Sequence, residues 1–206
     1  MKRWGISLVW LLLAGPLIWS ATQGKDSPII ALNEGLGALL SGGLPVLALL
    51  LVLKQDLTPT ARALRFGQGR RRLTLQALLL DAMAMLVLSI GIAALLILWL
   101  RGTRDPLFVR DLAATASLAL AATLSLLLVM GGAHAWFKRP GPVLILIAGW
   151  ILGQGDQPVR IAFPSGHIRY LVGLGTDLPL AGWTSLLCLY AMAAVGLCAL
   201  LARVRD

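Results

Sequence analysis

The chain has 206 residues, of which 58% are hydrophobic and 13% are charged, and its formal net charge is +9. A soluble domain of this size could not bury so much apolar surface, so the composition excludes a soluble globular protein and predicts an integral membrane protein. The positive charges cluster beside apolar segments rather than along one polar face. This pattern favours membrane lipids as partners over nucleic acid.

Six apolar segments follow one another along the chain. They predict an all-α fold, a polytopic membrane protein whose single transmembrane domain has spans at about 4–20, 36–53, 75–100, 112–132, 141–154 and 178–202, with no soluble domain. The start Met1-Lys2-Arg3 before the first segment is also typical of a secretory signal. We interpret this segment as a retained span because the charge distribution is then consistent.

The Lys and Arg residues are unevenly distributed about these spans. If the N-terminus is cytoplasmic, six of the eighteen lie outside and the other twelve lie inside; the six are Lys25, Arg101, Arg104, Arg110, Arg160 and Arg169. Positive residues concentrate in cytoplasmic loops. We therefore expect both termini to be cytoplasmic. We expect the membrane to be the cytoplasmic (inner) membrane of a bacterium.

A short helix is predicted between the second and third spans. Thr58-Pro59 pairs a capping hydroxyl with proline at the first helical position, and Gly67 ends the segment. One interpretation is an interfacial helix lying on anionic lipid. The other is a surface that docks on a cytoplasmic motor protein, formed by Thr58, Pro59, Ala61, Arg62, Leu64, Arg65 and Phe66.

Asp81 is a carboxylate inside the third predicted span. Ionisable groups in spans are costly and are usually paired or functional. The sequence leaves open a structural ion pair and a role as a gate or proton relay.

The connection between the fifth and sixth spans is too apolar for a free loop. Residues 155–175 mix prolines and glycines with helix-like pieces, which predicts a broken outer hairpin, a short helix that dips into the outer leaflet and returns. Its candidate functional residues are Phe163, Pro164, His167, Arg169 and Tyr170.

Pro164-Ser165-Gly166-His167 resembles the middle motif of membrane-bound lipid-phosphate phosphatases, and Lys138-Arg139-Pro140 resembles part of their first motif. Those enzymes need a basic phosphate cradle and two histidines in one site. Here the first motif lacks its lysine, no histidine follows His167, and the predicted topology puts Arg139 and His167 on opposite faces. We expect no catalytic residues, no metal and no cofactor, and keep the phosphatase as an alternative.

The whole layout resembles the permease subunits of ABC-2-type exporters. The shared features are six spans, cytoplasmic termini, a short helix after the second span, the basic run Arg70-Arg71-Arg72, and a broken outer hairpin containing Phe163-Pro164 and His167. Only Met1-Lys2-Arg3 precedes the first span, whereas family members begin with an interfacial helix.

The resemblance implies an ATP-driven exporter in which two permeases, identical or paralogous, surround a path and ABC-type ATPase subunits dock on residues 58–66. The permease itself would do no covalent chemistry. Small residues that would let two subunits approach closely are Gly42, Gly43, Ala191, Ala194 and Gly196. A structural or assembly subunit of a larger membrane complex is the other alternative.

Overall fold

The described part of the chain is a bundle of helices. A computed structural model describes residues 3–25, 27–54, 69–102, 106–153, 158–174 and 181–204, and within these ranges it contains no β-strand. The α-helices are α1 Arg3–Thr22, α2 Pro28–Gly37, α3 Leu44–Lys54, α4 Arg70–Arg101, α5 Phe108–Phe137, α6 Pro140–Leu152, α7 Pro164–Leu171 and α8 Gly182–Arg203. The predicted all-α class is confirmed for the residues described.

Five helical segments in these ranges are long and apolar enough to cross a membrane: α1, the continuous run Pro28–Lys54, α4, α5 and α8. The predicted fifth span is instead α6, which has 13 residues. It rises only about 20 Å, whereas the hydrocarbon core of a bilayer is about 30 Å thick. Length and composition therefore support five spanning helices and one shorter apolar helix.

The second helix begins at Pro28, eight residues before the predicted start of its span. Ser27 is extended and proline occupies the first helical position, an arrangement that favours helix initiation. The polar residues of this first part are accommodated at the helix end, where Lys25 pairs with Glu34 at 3.6 Å. Because these polar side chains lower the local hydropathy, the hydropathy pattern placed the start of the helix too late.

A π-helical turn, Ala38–Gly43, joins α2 to α3. Pro45 follows it within α3 and has no N–H to give to the carbonyl of residue 41, so the regular ladder is interrupted here. Trp10 of α1 fills this region, and its Nε1 donates a 2.7 Å hydrogen bond to the carbonyl of Gly43. Trp10 is only 1% exposed, so α1 is part of the packed core.

The long helices run in two directions. α1 and the run Pro28–Lys54 are antiparallel, because Gly35 packs on Thr22 and Gly43 packs on Trp10. At one end of the bundle, Arg71 Nε donates a 2.8 Å hydrogen bond to the carbonyl of Val204. We call this the basic end; Lys54, Arg72, Lys138, Arg139 and Arg203 also lie there. The opposite end, where α4 finishes, is the Arg101 end.

Helices α5 and α8 are parallel neighbours in very close contact. A Cβ built on Gly196 would lie 2.5 Å from the carbonyl carbon of Leu128, and one built on Gly132 would lie 2.9 Å from the carbonyl oxygen of Gly196. Nearer the basic end, Trp136 Nε1 donates a 2.9 Å hydrogen bond to the carbonyl of Ala199. Residue numbers rise together along both helices, which fixes their common direction. Small residues permit this approach.

This contact corrects one expectation about subunit pairing. Gly196 packs on α5 of its own chain, and Gly42 and Gly43 pack on Leu17 and Trp10 of α1. These three glycines are therefore used inside the bundle and are not available to a second subunit.

The run Pro28–Lys54 is the centre of the bundle, and its most apolar part is 67% buried. Leu39, Leu40, Leu44 and Leu47 are fully enclosed there. The outward faces of other helices are apolar too; Leu12, Val87 and Val195 are at least 70% exposed. Apolar side chains on both the inside and the outside are typical of a protein surrounded by lipid.

Candidate functional site

The sequence-predicted residues fall in three places. The docking set from Thr58 to Phe66 lies outside the described residues, so its predicted helix is untested. Asp81 is 3% exposed and lies on the protein-facing side of α4 with Leu78, Ala82 and Met85. The structure buries this carboxylate, and the choice between ion pair and gate stays a prediction.

The predicted outer hairpin contains α7, a short helix with well-defined ends. Phe163 is extended at its N-cap and Pro164 occupies the first helical position. At the other end the N–H of Leu174 donates to the carbonyl of Arg169 (2.9 Å) and the N–H of Gly173 donates to that of Tyr170 (3.0 Å). Gly173 has φ +81°. This pair of bonds is a Schellman motif, in which glycine adopts the left-handed conformation at low cost.

The N-terminus of α7 reaches deep into the bundle. Ser165 Oγ donates a 2.7 Å hydrogen bond to the carbonyl of Gly149 in α6. Pro164 and Ser165 share a small pocket with Leu126 and Met130 of the C-terminal half of α5. The short helix therefore lies deeper in the bundle than predicted, since the sequence predicted only a short entry into the outer leaflet.

His167 ties α7 to the preceding 3₁₀ turn, Pro158–Ala162. Its Nε2 lies 2.8 Å from the carbonyl oxygen of Ile161, so Nε2 carries the proton and donates. The side chain is fully buried, and within the described residues its Nδ1 has no hydrogen-bond partner. This bond fixes α7 to the 3₁₀ turn.

This geometry does not form a phosphatase site. His167 is enclosed, and the pocket beside Ser165 has a volume of only about 10 Å³. Arg139 precedes α6, ten residues before Gly149, which separates it from the Ser165 contact by roughly 15 Å along the helix. A phosphate group could not reach both Arg139 and His167.

A larger cavity of about 490 Å³ opens at the Arg101 end. Five helices line it: α2, α4, α5, α7 and α8. Most of its wall is apolar, contributed among others by Leu32, Leu36, Ile97, Leu118, Leu171 and Leu186. Asn33, Thr115 and Ser117 add polar groups. Volumes of this order are typical of small-molecule sites.

A cluster of three charged side chains lies at the mouth of the cavity: Arg101 and Asp111 line the cavity, and Arg110 pairs with Asp111. Arg101 Nη1 donates to Asp111 Oδ2 across the junction of α4 and α5, and Arg110 Nε donates to Asp111 Oδ1 at 3.3 Å. Thr115 Oγ1 donates to the backbone carbonyl of Asp111 at 2.8 Å. Asp111 is thus held between two arginines, and its side chain is 24% exposed.

Sequence reasoning missed this cavity and its charge cluster. A usable signal was present, since Arg101 directly follows one predicted span and Asp111 directly precedes the next, with only a short connection between them. Opposite charges at facing helix ends commonly pair. The cavity itself depends on how five helices pack together, so no local sequence pattern predicts it.

No protein-family model matches the sequence, and no curated protein is significantly similar to it. The function therefore has to be inferred from residues and geometry.

Proposed function

We propose that the chain is the membrane permease subunit of an ATP-driven ABC-2-type exporter. The observation that carries the proposal is the broken element between α5 and α8, in which the 13-residue α6 is followed by a 3₁₀ turn and the buried eight-residue α7. A discontinuous helical hairpin before the last span is one of the features of the family's layout. In this proposal α6 and α7 together replace a regular fifth crossing and complete the six-span arrangement.

The distribution of charge also supports the proposal. Lys54, Arg71, Arg72, Lys138, Arg139 and Arg203 lie at the end of the bundle that also holds the start of α1, whereas Lys25, Arg101 and Arg110 lie at the opposite end. By the positive-inside rule this end is cytoplasmic, with both termini on that side of the bacterial inner membrane. It is also the end from which residues 58–66 would face a soluble ATPase.

Mechanistically, the permease does no covalent chemistry. Two copies, or one copy and a paralogue, surround a path, and an ABC-type ATPase docks on each predicted helix at 58–66. Closure of the ATPases on ATP moves the spans as packed units. The tight α5–α8 pair would move as one body because its backbones are in contact at Gly132 and Gly196.

Gentle extraction of the tagged chain from its native membrane, followed by mass spectrometry, tests the proposal. We expect an ABC-type ATPase in near-equal amount, and ATP hydrolysis by the purified complex. Changing Leu64→Glu and Arg65→Glu together is expected to abolish this recovery while the chain stays in the membrane, because it puts two negative charges on the docking helix.

A matched control changes Lys138→Glu and Arg139→Glu, which alters more charge at the same end but outside the docking helix. Loss of the ATPase from both double variants would mean that general charge, not the docking helix, holds it. A chain recovered alone, or only with other membrane subunits and without ATPase activity, would refute export and favour a structural or assembly subunit.

A further inference from the structure

The cavity at the Arg101 end has the polarity of a site for an amphiphile. Along the second helix its lining runs from Ile29 to Leu40, eleven residues or roughly 16 Å. Its deep end is closed by Leu40 and Ile97, both fully buried. The charged cluster lies at the other end, where Trp183 is 68% exposed. One end is therefore dry and apolar and the other is charged.

This polarity excludes strongly polar solutes as the occupant. A sugar or nucleotide that filled the cavity would leave hydroxyl or amide groups unpaired against the leucines, at a cost of about 1–3 kcal/mol for each group. A hydrocarbon chain has no such groups. The deep wall therefore matches an alkyl chain.

The charge at the mouth selects the head group. Arg101 and Arg110 carry two positive charges and Asp111 carries one negative charge, so the cluster has a net charge of +1. The nearby Lys25–Glu34 pair adds no net charge. Arg110 is the accessible member, with a side chain that is 74% exposed, whereas that of Arg101 is 17% exposed. Among the described residues, the mouth is thus complementary to an anion.

We propose that this cavity binds a single-chain amphiphile with an anionic head group, with its chain along the α2 wall and its head at the Arg101–Arg110–Asp111 cluster. Both a fatty acid and a lysophospholipid with a phosphate head have this chemistry. The proposal concerns a ligand of the fold and does not depend on the export function.

Photolabelling of the full-length chain, with any subunits that co-purify, in phosphatidylcholine nanodiscs tests the proposal. The probes are diazirine-bearing hexadecanoate, a diazirine-bearing lysophosphatidate, and diazirine-bearing hexadecanol as the uncharged counterpart. We expect labelled peptides from α2, α7 and α8 with one or both anionic probes, and about tenfold less labelling with the alcohol. Labelling by the carboxylate or by the phosphate probe alone identifies which source the site accepts.

Two variants with matched controls locate the site. Ala114 lines the cavity and Ala113 does not, and both are exposed, so Ala114→Trp fills the cavity without overpacking the core. We expect Ala114→Trp to reduce labelling about tenfold and Ala113→Trp to leave it unchanged. Arg110→Gln makes the cluster neutral and should weaken labelling about two- to fivefold, the range of an exposed ion pair.

The control for charge is Arg72→Gln, which removes an exposed arginine at the basic end and should have no effect. Equal labelling by acid and alcohol would refute an anion-selective head site. Labelling that avoids the cavity peptides, or that survives Ala114→Trp, would refute the cavity itself. Loss of ATPase association in the docking variants would leave this result unchanged, so the two proposals fail separately.

Discussion

The contact between α5 and α8 at Gly196 gives the sharpest stability prediction. A Cβ at this position would lie 2.5 Å from the carbonyl carbon of Leu128 and 2.6 Å from both its oxygen and the nitrogen of Val129. Carbon atoms prefer separations of about 3.5–4.0 Å, so Gly196→Ala requires the helices to separate by roughly 1 Å. Backbone atoms cannot rotate away as a side chain would.

We expect Gly196→Ala to lower the free energy of unfolding by about 2–3 kcal/mol, the upper part of the range for overpacking. A gap of this size weakens neighbouring packing contacts as well. SDS titration in mixed micelles, followed by far-ultraviolet circular dichroism, measures the change. At 1.4 kcal/mol for each factor of ten, the folded-to-unfolded ratio falls by roughly 30- to 150-fold.

Two other glycines provide the controls for this experiment. A Cβ on Gly131 has its nearest neighbour, a flexible leucine methyl of Leu78, at 3.8 Å, and one on Gly91 has nothing within 4 Å. Gly131→Ala and Gly91→Ala should be neutral or stabilising by up to about 1 kcal/mol, because alanine favours helix over glycine. If Gly196→Ala proves as stable as Gly91→Ala, the two helices are not in backbone contact and the description of the core is wrong.

Two further perturbations test the hydrogen bonds described above. Trp10→Phe keeps the ring in the core but removes the bond to the carbonyl of Gly43, and should cost about 1–2 kcal/mol in the same SDS titration. Ser165→Ala removes the bond to Gly149, and should cost about 1 kcal/mol and speed proteolysis between α6 and α7; unchanged proteolysis would contradict this connection.

Sequence patterns predicted the positions of the helices far better than they predicted which helices contact each other. The ranges of α1, α4 and α5 extend the predicted spans by one to five residues at each end, because hydropathy marks the apolar centre and misses polar end turns such as Arg70–Arg72. The same cause delayed the predicted start of the second helix to residue 36. Periodicity and composition are local properties of the sequence, and they are sufficient to predict that a segment is helical.

The candidate site was only partly predictable. Proline and glycine marked the irregular hairpin, and Pro164 is indeed the first residue of a helix. How deep that helix lies depends on Ser165 meeting Gly149 of another helix. The cavity and the pairing of Gly132 with Gly196 likewise depend on which helix faces meet, and glycine is too common in membrane helices for its partner to be inferred from sequence alone.

The parallel pairing of α5 with α8 sets the order in which the protein can be assembled. Gly132 and Gly196 are 64 positions apart, so at about 5–20 residues per second the ribosome adds Gly196 roughly 3–13 s after it adds Gly132. During that interval the small-residue face of α5 must be covered by lipid or by the insertion machinery. The contact between α5 and α8 can form only when α8 enters the membrane, and quality control during synthesis has those seconds in which to detect an unfinished chain.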